Sequence, residues 1–156
     1  MRVPRTIKSV IIALLTVLIL TGCTPAEIKN WSLVDVGTFQ NAISDIGYDL
    51  EDVFEEYEED GLLYNSVDTP EVAYLYIEAS SFDEASKAYQ AYIDGTLYLM
   101  ETRQEEATYH RARFEGSNSV YYYLYCLYEN YVIIIAGDIE RKDEMIQVYN
   151  KIFNRG

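Results

Sequence analysis

Histidine occurs once in this 156-residue chain, at His110, and no glycine-rich phosphate loop occurs at all. A lone imidazole rules out a zinc site built from several histidines. Without a G-x-S-x-G elbow, it also leaves Ser-His-Asp chemistry hanging on one residue. The missing loop removes the usual cradle for nucleotide phosphates. Basic residues are scarce, 12 Lys+Arg against 26 Asp+Glu, for a formal net charge of −14. Phosphate backbones are gripped by Lys and Arg that displace counterions, so this balance argues against nucleic acid as a partner. An anionic lipid surface would repel the chain for the same reason. Cysteine appears twice, at Cys23 and Cys126, too few for a disulfide framework. The one long apolar run, Val10 to Leu20, is broken only by Thr16. As a helix it would reach about 16 Å, roughly half of a bilayer's hydrocarbon core, so a permanent transmembrane span is a poor reading.

Aromatic residues, by contrast, are abundant. The chain holds 16 Tyr and 5 Phe, and 49% of it is apolar, far above what a disordered acidic chain carries. It is expected to fold around a real core, as one domain's worth of residues.

The amino terminus reads as an address. Met1 to Ser9 is basic, the apolar run follows, and then comes Leu20-Thr21-Gly22-Cys23. This tetrapeptide resembles the bacterial lipobox, Leu-[Ser/Thr/Ala]-[Gly/Ala]-Cys, at every position. The resemblance implies that residues 1–22 are a lipoprotein signal peptide. It also implies that Cys23 carries a thioether-linked diacylglycerol as the first residue of the mature protein. Two acyl chains meet the two-signal requirement for stable anchoring, so the membrane would be reached through the lipid without being spanned. The expected place is the outer face of the bacterial cell membrane, or an outer membrane if the envelope is Gram-negative. Arg2, Arg5 and Lys8 leave with the signal, so the mature part holds nine basic against 26 acidic residues, a balance of −17. Residues 23–36 read as lipidated cysteine and tether, and 37–156 as a single α+β domain.

Within that domain, Thr38 precedes a helical stripe of Phe39, Ala42, Ile43 and Ile46, stopped by Gly47. Asp45 to Asp60 holds nine acidic residues and no basic one and is ambiguous between helix and loop. Strands are expected at Leu62 to Val67 and Val72 to Ala79. Ser81-Phe82-Asp83-Glu84 is a capping box for a helix whose inner side carries Phe82, Ala85, Tyr89, Tyr92 and Leu99. Three strands follow, about Ala107 to Glu115, Ser119 to Tyr128 and Tyr131 to Asp138, and a closing helix runs from about Glu140 to Asn154. The pattern predicts an α+β fold: an antiparallel sheet of four to five strands ending in a three-stranded meander, with about three helices packed on one face. The layout loosely resembles small uncharacterised lipoproteins of Gram-positive gut-type bacteria, through a Phe-x-x-Ala-Ile…Gly-Tyr first helix and a Phe-x-x-Ala…Tyr second. That resemblance implies no activity.

Three constellations bear on chemistry. Glu56, Glu58, Asp60 and Gly61 fall at positions 1, 3, 5 and 6 of a calcium-loop pattern, but Val67 stands where the bidentate carboxylate belongs, and a solvated acidic face competes with any Ca²⁺ reading. The expected strand pairing sets His110 diagonal to Cys126 among Ala112, Phe114, Leu124, Ile133 and Ile135; that apolar company favours a buried structural cysteine over a nucleophile. With Cys23 acylated, Cys126 would have no intramolecular disulfide partner. On the opposite face the same pairing aligns Tyr121, Tyr123 and Tyr125 with Tyr109, Arg111 and Arg113, a stripe suited to cation–π contacts and to binding a peptide, glycan or protein. Cross-strand aromatic pairing that only stabilises the sheet is the bland alternative. The functional expectation is a membrane-anchored, non-catalytic binding or interaction module without a cofactor. An envelope hydrolase or transferase using acidic residues is the alternative.

Overall fold

The computed structural model describes residues 34–153. The signal peptide, Cys23 and most of the tether lie outside the described residues, as does the expected end of the last helix at Asn154. Helix α1 (Val36–Ser44) buries Phe39, Ala42 and Ile43, as its apolar spacing dictates. Its cap is Asp35, whose carboxylate accepts from the Thr38 backbone N–H at 2.7 Å, so the helix starts before the Thr38 cap the sequence suggested. A one-turn helix α2 (Leu50–Val53) leads into β1 (Phe54–Glu59) and β2 (Leu62–Asp68). Asp60 and Gly61 between these strands have φ of 53° and 78°. Two left-handed residues make the tight turn whose twist matches a hairpin, and Asp-Gly is a preferred pair for it. The acidic run therefore passes through the short helix α2 into strand β1.

Strand β3 (Val72–Glu78) follows, then α3 (Phe82–Thr96), where the Ser81 hydroxyl accepts from the Glu84 N–H at 3.3 Å, and a 3₁₀ turn at Leu97–Leu99. The chain then runs through β4 (Thr102–Thr108), β5 (Arg111–Ser117), β6 (Tyr121–Tyr128) and β7 (Tyr131–Asp138), and ends the described part with α4 (Lys142–Ile152). All strands join one antiparallel sheet in the order β1-β2-β3-β7-β6-β5-β4. The class is thus α+β, with more elements than expected: seven strands and four α-helices among the described residues. The expected single strand Ala107 to Glu115 is two, folded back at Tyr109-His110.

The helices do not share a face. Helices α1 and α4 pack with Val67, Tyr74, Tyr76, Leu124, Cys126, Ile133 and Ile135. Helix α3 packs on the other side with Ile77, Ala112, Phe114, Tyr125, Leu127, Val132 and Ile134. The central strands β6 and β7 bury residues in both directions, which is why they read as near-continuous apolar runs. Seven strands at about 4.8 Å spacing make a sheet roughly 29 Å wide, whereas one helix with side chains covers about 10 Å. Among the described residues, helix α3 lies chiefly over β6 and β7 and reaches Ile77 of β3 and Ala112 and Phe114 of β5, so it covers the middle of this face more fully than the outer strands. None of the described helices is long and apolar enough to cross a membrane.

One polar residue sits awkwardly on the α1/α4 side. Asn65 is fully buried, opposite Tyr76, and neither of its amide atoms has a hydrogen-bond partner. An orphaned buried amide costs about 1–3 kcal/mol, so Asn65→Leu, which keeps the side chain's shape, is expected to raise stability by that order. The check is a higher urea midpoint at unchanged m-value.

Candidate functional site

The tyrosine-arginine stripe does not form. Arg111 and Arg113 pair with Tyr128 and Cys126, so both guanidinium groups lie on the α1/α4 side. Arg111 sits over the Tyr128 ring at 4.4 Å and donates to its hydroxyl at 3.0 Å. Arg113 lies 5.1 Å from the Tyr149 ring and donates to Glu115 at 2.6 Å. Tyr121, Tyr123 and Tyr125 point the other way: Tyr125 is buried against α3 and donates to the Thr96 hydroxyl at 3.1 Å, while Tyr121 is 44% exposed. Tyr109 stands 89% exposed in the β4–β5 turn, away from all five. The physical reason is parity: pairing shifted by one residue exchanges every side chain between faces.

The same shift separates His110 from Cys126. His110 is in the β4–β5 turn, its Nδ1 3.1 Å from Glu129 Oε2 and its ring 4.5 Å from that of Phe82. Cys126 is buried on the α1/α4 side, with Leu124, Ile133 and Ile135, whereas Ala112 and Phe114 face α3. Of the calcium-loop residues, Glu56 and Glu58 extend from strand β1 and Asp60 from the hairpin turn, in place of a loop that could wrap an ion. Among the described residues, no group of three or more His, Cys, Asp or Glu is gathered as a metal ion requires.

Two clefts flank α3, and two more polar ones lie elsewhere, one along residues 44–51 and one between Glu71 and Arg141. Along β4 and β5 a mainly polar cleft of about 380 Å³ is lined by Gln90, Asp94, Arg103, Gln104 and Glu105 together with Ile93, Leu97 and Phe114. Along β2 a second cleft of about 350 Å³ is lined by Leu62, Tyr64, Ala88, Ala91 and Tyr92, with Asp60, Glu84 and Lys87 at its margin. An apolar floor with a few polar groups at the rim is the usual anatomy of a ligand site.

The second cleft is aromatic by construction. Tyr57 and Tyr64 are direct cross-strand partners, brought opposite each other by the Asp60-Gly61 turn. Their rings stack at 4.9 Å with only 2° between planes, and Tyr57 remains 43% exposed. Glu55 and Glu59 share this face of β1 by strand alternation, and Asp68 shares it on β2. Burial and then the charge of Glu55 hold the Asp68 carboxyl above the ordinary carboxylate range. Burial first, and then the nearby acids led by Glu59, raise the Tyr57 and Tyr64 hydroxyls. Burial pushes Tyr92 up to about 12, with smaller contributions from Tyr64, Tyr57, Asp68 and Glu59. These shifts share one sign, set first by burial and then by the neighbouring acidic groups.

The sequence reading missed Tyr57, Tyr64 and Tyr92 as a group. The available signal was Asp60-Gly61, which as a two-residue hairpin makes Tyr57 and Tyr64 partners by counting outward from the turn.

No family model and no curated protein matches the chain. Among solved structures, the chain is similar to the crystal structure of a GTP binding regulator from Thermotoga maritima, at 14% identity over 74% of this chain and 87% of that one, with a TM-score of 0.48. A likeness of that degree carries nothing about the chemistry of the present chain.

Proposed function

We propose that this chain is a membrane-anchored extracytoplasmic lipoprotein whose mature domain is a non-catalytic binding module, with its ligand surface on the α3 side of the sheet. The anchor half rests on the lipobox ending at Cys23 and the short apolar run before it. The binding half rests on one observation above all: among the described residues α3 is the one α-helix on its face of the seven-stranded sheet, and beside it lies a cleft whose apolar and aromatic lining meets charged residues at its margin. Fixed, half-exposed rings and charges set on strands are pre-organised, which reduces the ordering cost of binding.

Both halves are tested on the full-length chain. Cys23→Ser is expected to abolish acylation and move the protein from the membrane fraction to the soluble fraction; retention in the membrane would sink the anchor. NMR titration with short peptides and neutral glycan fragments is expected to move resonances of α3 and its two flanking clefts. Shifts confined to the α1/α4 side would put the module's surface in the wrong place.

A further inference from the structure

We propose that the cleft of Tyr64 and Tyr92, flanked by the Tyr57 ring stacked on Tyr64, receives a lysine side chain from an extended, basic peptide. This deepens, and rests on, the binding-module reading above. The first ground is charge complementarity. The cleft face carries the stacked pair Tyr57–Tyr64 and the half-buried ring of Tyr92, with Glu55, Glu59, Asp60 and Asp68 around them. Against those carboxylates stands one lysine, Lys87, among the residues lining the cleft. Aromatic faces and carboxylates together select an alkylammonium ion: the rings attract the cation through their quadrupoles and accept the apolar stem, while the acids supply the counter-charge.

The second ground distinguishes a peptide from a small free cation. The cleft lies beside β1, which is the last strand of the sheet among the described residues. An edge strand presents an unpaired row of N–H and C=O groups, and an extended peptide adds there through its own main chain. Both edge strands are charged, but unequally. Strand β4 includes Arg103 beside its acids, whereas the six residues of β1 include Glu55, Glu56, Glu58 and Glu59 and no base. An all-acidic edge repels a second copy of itself and accepts a chain of opposite charge. A peptide lying along β1 would set alternate side chains on each face of the sheet, every second one on the side of Tyr57.

The test uses the full-length chain in detergent micelles, titrated with pentalysine and, separately, with neutral chitotriose, by NMR and calorimetry. Saturable pentalysine binding is expected, with shifts on β1, β2 and the facing side of α3. Tyr57→Ala is expected to weaken it about tenfold, as for a desolvated cation–π contact, whereas Tyr57→Phe keeps it within about twofold. Glu59→Gln should weaken it as well. Tyr57 is an exposed ring on an edge strand, and the melting temperature confirms folding for each variant. Equal pentalysine affinity in Tyr57→Ala and the unsubstituted chain, or shifts scattered over the acidic surface, would overturn the proposal. Movement of either cleft by chitotriose with none by pentalysine would overturn it while leaving the binding module standing. Silence of the whole α3 side toward both probes would overturn both.

Discussion

Raised through pH 10 to about 11, the domain is expected to unfold cooperatively, with tyrosinate absorbance and loss of ellipticity rising together. Tyr74, Tyr76, Tyr89, Tyr122, Tyr125 and Tyr131 are all buried. Burial is the first cause that raises each hydroxyl above its ordinary value, Tyr125 to about 12 and the other five further. For Tyr74 a second cause is its hydrogen bond to Glu144, at 2.9 Å. A group whose folded value is raised keeps its proton longer in the native state than in the unfolded one. Its contribution is therefore whole below the unfolded pKa, about 10, and is lost as pH climbs past it. Six such groups make stability fall by about 8 kcal/mol per pH unit once the unfolded chain ionises, which consumes a typical 5–15 kcal/mol within one or two units. Absorbance at 295 nm and far-UV circular dichroism on one sample check this. Full tyrosine ionisation near pH 10 with ellipticity intact would mean that these rings are not buried.

Gly137→Ala is expected to destabilise the fold by about 2–3 kcal/mol, the cost of overpacking a site that cannot give way. Gly137 lies on β7 between Val72 and Tyr122. A Cβ there would come within 2.5 Å of the Glu71 carbonyl oxygen and 2.9 Å of the Val72 Cα. Both are backbone atoms, and the Glu71 oxygen already accepts from the Asp138 N–H at 2.9 Å, so relief means prising β3 from β7 at the centre of the sheet. Gly95→Ala is the matched control. Apart from its chain neighbours and the backbone of its own helix, no atom lies within 4 Å of the added carbon, and the residue is in α3, so alanine is expected to stabilise by about 0.5–1 kcal/mol. Urea midpoints moving in opposite directions would confirm both; a neutral Gly137→Ala would mean that the β3–β7 junction yields easily.

Much of the order along the chain was legible. Strand β3, the capping box at Ser81 and the β5-β6-β7 meander follow from alternation, caps and turns. The register was not, and Tyr122 to Tyr128 and Tyr131 to Ile135 show why. Strands buried on both faces have no polar side to mark orientation, so nothing in those runs tells which tyrosines face α3. The turn at Tyr109-His110 was invisible for another reason: it contains no Gly, Asn, Asp or Pro and no left-handed residue, so it lacks the composition of a preferred hairpin turn. Missing that turn fused β4 with β5 and carried the arginines to the wrong face. Strand β1 was hidden by four glutamates, residues that strands ordinarily avoid. The candidate clefts depend on a count of helices per face, which only the folded sheet reveals.

The two ends of the described chain leave from one side. Val34 donates its N–H to the Tyr131 hydroxyl at 3.0 Å, and Phe153 is buried beside α1 and α4 in the same layer. Val34 and Phe153 are therefore both held in the layer of α1 and α4 and not in that of α3. Both clefts beside α3 therefore lie across the sheet from the two points where the described chain begins and ends.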